Sequence, residues 1–165
     1  MQQNTTVMKE KTIQSTFYEY EAFATLSKQD QDLIKKAQGA AKNAYAPYSN
    51  LQMGAAILLE NNNLVTGSNQ ENVAFPSGLC AERVALYYAK SLFPELAIRS
   101  VAITASRNSR VAELLPIPCG ACLQVLAEYE RRQKAPIRIL CHGPQKIILG
   151  EGVSQFMPLG FRANI

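Results

Sequence analysis

Apolar positions recur at helical spacing through Leu33, Ile34, Ala37, Ala41, Ala44 and Tyr45, which predicts an amphipathic helix. Ser27, with Asp30 three residues later, supplies an N-cap and an acidic first turn. Pro47 sets the latest stop, because the residue before a proline disfavours helical backbone. The pattern then changes. LQMGAAILL at 51–59 is an apolar run of strand length, followed by a Glu60–Asn63 turn and a second strand, LVTGS, at 64–68; together they predict a hairpin. CAERVALYYAKSLF, starting at Cys80, reads as a helix with Val84, Ala85, Tyr88 and Leu92 on its buried side and Pro94 just past its end. IRSVAITAS at 98–106 is a short buried strand. A helix from Cys119 turns Val125, Leu126 and Tyr129 inward, and PIRILCH and KIILG close the chain as two further strands.

The resulting order is helix, strand, strand, helix, strand, helix, strand, strand. Strands that alternate with helices point to an α/β sheet covered by helices. Residues 1–26 stand apart. They lack helical periodicity, and TIQSTFYEYEAF is rich in Thr, Tyr and Phe, so the arm is expected to be extended or to add a strand. Residues 27–165 are expected to form one domain, with no repeat, low-complexity tract or linker.

Composition narrows the classes further. Hydrophobic residues make up 47% of the 165, ordinary for a globular protein, and no apolar run is long enough to span a bilayer. The N-terminal stretch lacks the apolar core of a secretory signal, so a cytoplasmic protein without membrane partners is expected. The net charge of +4 is spread over mixed signs, with only short basic pairs such as Lys35-Lys36 and Arg131-Arg132. These read as solvated helix faces rather than the concentrated stripe that nucleic acid would need.

Candidate chemistry concentrates in the cysteines. In a reducing compartment they bind metals or react more often than they form disulfides. Pro118-Cys119-Gly120-Ala121-Cys122 places two thiols at i and i+3, above one another on the first turn of a helix. Alone, such a pair is as readily a redox couple or a coincidence. Cys80 opens a second helix, where partial positive charge again favours thiolate. Three sulfur ligands leave the fourth position of a tetrahedral zinc open, as in catalytic rather than structural sites. Glu82 lies two residues beyond Cys80. A regular helix would turn it away from the same ion, but at an irregular helix start it can hover over the open position. Arg83 reads either as an exposed helix arginine or as a donor to the sulfurs, offsetting the negative charge of three thiolates. Cys141 reads as a core residue at the end of a strand, and His142, the single histidine, as a loop residue.

Cys-Ala-Glu followed by Pro-Cys-x-x-Cys resembles the small zinc-dependent cytidine deaminases, and the resemblance extends over roughly 28–163 through AYAPYSN at 44–50, GSNQENVAFPSGLCAERVA at 67–85, PCGACLQVLAE at 118–128 and FMPLGF at 156–161. It implies a three-layer α/β/α sandwich around a five-stranded mixed sheet. It implies one Zn2+ per subunit on Cys80, Cys119 and Cys122, with Glu82 as general acid/base. It also implies a substrate-binding set of Asn69, Glu71, Ala81 and Phe161. Asn69 and Glu71 would take the ribose hydroxyls; read alone they are a polar turn after a strand. Phe161 would stack on the base; read alone it docks on the domain core. The resemblance further implies a homotetramer with shared active sites. Leu51 and Leu123 depart from the family pattern, which commonly has phenylalanine and arginine there. The expected reaction is hydrolytic deamination of cytidine and 2′-deoxycytidine to the uridines, with zinc-activated water attacking C4, in pyrimidine salvage. The alternatives are another cytosine nucleoside or an aminonucleoside antibiotic as substrate, a polynucleotide, or a structural zinc module with a binding role.

Overall fold

A computed structural model describes residues 8–108 and 110–161. The first seven residues of the expected arm and the last four of the chain lie outside it. Three helices, α1 (Lys28–Ala41), α2 (Ala81–Leu92) and α3 (Gly120–Gln133), flank a mixed sheet. Its strands are β1 (Phe17–Tyr20), β2 (Gln52–Leu59), β3 (Leu64–Ser68), β4 (Ile98–Arg107), β5 (Arg110–Val111), β6 (Arg138–His142) and β7 (Ile147–Glu151). They lie in the order β1-β7-β6-β4-β2-β3, with β5 folded back on β4. The β4–β6 pair is parallel, joined through α3, and the other pairs are antiparallel. The five strands expected from the pattern are all present as β2, β3, β4, β6 and β7. The arm contributes β1, and the two-residue β5 was too short to carry a pattern.

Period-two alternation sorts the sheet into two packed faces. Ala56 and Leu58 of β2, Ala102 of β4 and Leu140 of β6 pack under Leu33, Ile34 and Ala37 of α1. Their neighbours Ala55, Ile57, Val101, Ile103 and Ile139 point the other way, towards α2 and α3. The three layers follow from this. Two glycines permit unusually close contact between them: a Cβ on Gly54 would lie 2.0 Å from the Ala37 carbonyl, and one on Gly67 would lie 2.5 Å from the Ala85 backbone nitrogen. Each helix therefore rests almost directly on the sheet backbone.

That close fit reorients α2 relative to its expected face. Ala81, Ala85 and Ala89 point inward together with Leu86, whereas Tyr88 and Leu92 are half exposed. Small residues occupy the sheet side because larger ones would not fit against Gly67. Helix α1 also ends earlier than Pro47 requires. Tyr45 leaves the helix to exchange backbone hydrogen bonds with Asn69 and Glu71. In α3, Leu126 is buried as expected, with Cys122 and Leu123, while Val125 and Tyr129 pack at the margin of the core.

His142 is not a loop residue. It ends β6, is buried, lies 3.1 Å from the Thr104 hydroxyl and meets the Phe23 ring edge-on. Phe23 belongs to a short 3-10 turn, Phe23–Thr25, whose role sequence periodicity could not show. Burial lowers the His142 pKa from its ordinary value. The unfolded chain consequently takes up a proton that the folded chain resists, so stability falls as pH drops through about 6.5. Urea denaturation of His142→Gln between pH 7.5 and 5.5 should show a shallower decline than the parent protein.

The N-terminus of α1 is anchored by charge. The Asp30 N–H donates to Ser27 Oγ, and the Ser27 hydroxyl donates to Asp30 Oδ2, which closes the expected cap. Buried Asp30 also receives both guanidinium arms of Arg138, at 2.9 and 3.1 Å, tying the helix start to β6. Asp30→Ala should cost about 2–3 kcal/mol in urea denaturation, because it removes the paired hydrogen bonds of a half-buried cation and leaves it only Ser100 and a longer contact to Glu151.

Candidate active site

Cys80 and Cys119 occupy equivalent places, each the N-cap of its helix in extended backbone. Neither uses its side chain as a cap, so both sulfurs remain free to project from the helix starts. Cys122 stands one turn into α3, fully buried. The two helix N-termini thus meet end to end. The Cys80 and Cys119 sulfurs are 3.8 Å apart, those of Cys119 and Cys122 3.5 Å apart, and all three lie within 4.8 Å of one another. Sulfurs bound to zinc at about 2.3 Å at tetrahedral angles would be separated by about 3.8 Å. The spacing therefore suits a zinc ion, with a fourth corner left to something other than cysteine.

The protonation of the sulfurs also calls for a cation. Cys80 is brought down to about 5, chiefly by a hydrogen bond from Cys122, then by Arg83 and Cys119, against the opposing effect of burial. Cys122 is pushed up by that same bond, by burial and by the Glu82 charge. One thiolate is stabilised by the proton its neighbour keeps. Ionising all three requires positive charge beyond the helix ends and Arg83. Arg83 reaches the Cys80 sulfur through Nη2 at 3.8 Å, and its Nε is buried without a hydrogen-bond partner.

Glu82 sits beside the sulfurs rather than across the helix from them. It is 4% exposed, and its Oε2 has no hydrogen-bond partner. Burial above all, then the Cys80 charge, raises its pKa. An unpartnered carboxylate oxygen facing a cavity, with its proton affinity raised, is suited to take and return protons.

The cavity above this cluster measures about 550 Å³. Cys80, Cys119, Glu82 and Arg83 form its floor. Asn69 and Glu71 line its wall and also brace it. Asn69 is 8% exposed; its Oδ1 accepts from the Met53 N–H at 2.7 Å and its Nδ2 donates to the Leu51 carbonyl at 3.0 Å. Glu71 accepts from the Tyr48 and Ser49 N–H groups at 2.9 and 3.2 Å and from the Ser49 hydroxyl. The Ser49 hydroxyl bond, then the Tyr48 N–H, lowers the Glu71 pKa and keeps it a carboxylate. Leu51 lines the same wall. Leu123 instead points into the core, where an arginine would have to leave its helix face to reach the sulfurs.

Two expected contacts lie elsewhere. The Ala81 side chain is buried in the core and does not line this cavity, which leaves its backbone N–H, at the first helical position and without an intrahelical partner, as the group it can offer the site. Phe161 is neither docked on the core nor part of this cavity. It is 76% exposed and lines a separate groove beside α3 with Lys134, Pro136 and Met157. The structure also adds residues that carried no role in the sequence. Tyr48 and Phe75 form an edge-on ring pair lining the cavity, their centroids 5.8 Å apart, and Ile117 lines it as well. Tyr48, Ser49 and Phe75 all fall within motifs of the resemblance, but nothing in their spacing indicated that they meet.

Residues 27–135 match the cytidine and deoxycytidylate deaminase zinc-binding region. A cytidine deaminase of Halalkalibacterium halodurans is 36% identical over 142 residues, covering 81% of this chain and 95% of the relative. A crystal structure of cytidine deaminase from Burkholderia pseudomallei superposes with a TM-score of 0.67 at 30% identity, covering 79% of this chain and 97% of that one. The Mycobacterium tuberculosis cytidine deaminase structure gives 0.63 at 30% identity, over 80% and 96%. With three sulfurs at zinc spacing beneath a cavity, the chain belongs to the cytidine and deoxycytidylate deaminase family and is a zinc-dependent deaminase.

Proposed function

We propose that this enzyme hydrolyses cytidine and 2′-deoxycytidine to the uridines, in pyrimidine salvage in the cytoplasm. The observation that carries the reading is the buried Glu82 carboxylate, its Oε2 unpartnered, beside three convergent sulfurs and lining a cavity of nucleoside size. Cys80, Cys119 and Cys122 hold the zinc, which when bound acts as a Lewis acid towards water. Glu82 accepts a proton from that water and delivers it to N3 of the pyrimidine, which makes C4 electrophilic. After attack at C4, Glu82 carries the second proton to the amino group, which leaves as ammonia. Burial serves this role by keeping the proton affinity of Glu82 raised. Arg83 offsets the charge of the sulfurs.

Asn69 and Glu71 face the sugar with the acceptor and donor capacity left over from bracing the wall, and Ala81 offers its backbone N–H towards the base. The lining favours a free nucleoside over a nucleotide. Arg83 is the cavity's one cationic lining residue among those described, and it is engaged by sulfur, while Glu71 presents negative charge. Residues 27–165 form the deaminase domain, working as a homotetramer. Support comes from Tyr87, Tyr88 and Leu92 exposed on α2, from Phe75 exposed at the cavity mouth, and from Phe161, which projects away from its own site. Phe161 thereby stacks on the base in a neighbouring subunit's cavity.

Glu82→Gln should retain zinc by elemental analysis yet lose about a thousandfold or more in kcat on cytidine, followed by ultraviolet absorbance. Turnover near the parent rate would overturn the assignment. Cys119→Ser should bring zinc below one ion per subunit and reduce turnover in proportion. If zinc stayed stoichiometric, the ligand set would be wrong. Faster turnover of deoxycytidylate than of deoxycytidine would overturn the nucleoside reading.

A further inference from the structure

The N-terminal arm lies outside the family match, which begins at residue 27, yet it is built into the sheet. Phe17, Tyr18, Glu19 and Tyr20 register against Gly150, Leu149, Ile148 and Ile147 of β7, and Glu19 forms an ion pair with Lys146 at 2.7 Å. Two further contacts pass beyond the ladder to the chain that follows β7. The Thr16 N–H donates to Gln155 Oε1 at 2.7 Å. The Phe17 ring meets Phe156 edge-on, with centroids 4.9 Å apart. Gln155 ends a 3-10 turn, Val153–Gln155, and Phe156 caps it.

Phe156 is held from two directions. Its ring occupies the space over Gly150, where a Cβ would come within 2.3 Å of it, and Gly150 is the register partner of Phe17. The turn is gripped again from α3, where Glu130 Oε2 accepts from the Val153 and Ile137 N–H groups at 2.9 and 2.8 Å. Glu130 lies within the family match, whereas Thr16 and Phe17 lie outside it. From this turn the chain runs to Phe161, whose carbonyl accepts from Gln124 at 3.1 Å. Leu159 and Phe161 end up 82% and 76% exposed.

We propose that the arm is a positioning element: through Gln155 and Phe156, Thr16 and Phe17 hold the C-terminal segment in the shape that presents Leu159 and Phe161 to a second copy of this chain. This rests on the reading that Phe161 enters a neighbour's cavity. A segment already in its binding conformation contributes its full affinity, whereas one that visits that conformation a fraction of the time weakens apparent binding by that fraction. The arm therefore acts on substrate affinity and leaves the chemical step to Glu82 and the sulfurs.

The test is steady-state kinetics of the full-length, zinc-loaded enzyme on cytidine. Deleting the arm would uncover the β7 edge and invite aggregation, so point variants carry the experiment. Phe17→Ala and Gln155→Ala should each raise KM about fivefold or more with kcat within about twofold, as expected for lost binding rather than lost chemistry. Phe17→Leu should recover most of the loss. Hydrogen exchange at amides 153–161 should accelerate in Phe17→Ala. If Phe161→Ala raises KM while Phe17→Ala does not, the arm has no positioning role and the reading of Phe161 stands. If Phe161→Ala leaves KM unchanged, the reading of Phe161 fails and this inference fails with it.

Discussion

Three thiolates cannot share a space 4.8 Å across without positive charge, and much of this fold serves to place that charge. Two helices direct their N-termini at one point, so each contributes the positive end of its dipole and a capping cysteine. This requires α2 to lie close on the sheet. Gly67 permits it by leaving no side chain between β3 and the α2 backbone at Ala81 and Ala85. Arg83, one turn from Cys80, adds the remaining visible cation. Substituting a larger side chain at Gly67 would lift the helix carrying Cys80 and Glu82 together. Cys80 and Glu82 would then leave the sulfur cluster in a single step.

The same packing explains which parts of the sequence were legible. Short apolar runs bounded by turns located β2, β3, β4, β6 and β7, and in β2, β4 and β6 such runs arise because helices bury both faces. Helix faces were less legible. Apolar Tyr88 and Leu92 suggested a buried stripe, but the contact with β3 selects for smallness, and alanines took that side. Periodicity reports how apolar a face is, not how much room its partner leaves. His142 was misplaced for a related reason. The ring that covers it belongs to Phe23, in a 3-10 turn too short to carry a pattern.

In the site, the residues with distinctive chemistry were visible and those that shape the space were not. Cysteine spacing at two helix starts pointed to the metal cluster. Glu82 was ambiguous by helical geometry, and the structure places its Oε2 buried and unpartnered at the helix start. Asn69 and Glu71 carry more than binding groups, since each spends part of its hydrogen-bonding capacity on the backbone at 48–53. They are struts of the cavity wall. A substitution there alters the shape of the wall together with its chemistry, and loss of activity in such a variant would not by itself identify a sugar contact.

The separation of Phe161 from its own cavity gives the fold a division of labour. The sulfur cluster sits where two helix ends converge, beside the buried Cys122 and Glu82. Phe161 instead sits on a short segment after the last strand, stabilised by contacts at the sheet edge. A segment of that kind gains little order from its own few residues, because each ordered residue costs conformational entropy that exposed side chains do not offset. Order must come from what it leans on. In this chain that support comprises Glu130 on one side and an added edge strand on the other, and the added strand also covers the otherwise open β7 edge. A single short strand thus both covers the sheet edge and contacts the turn that leads to Phe161.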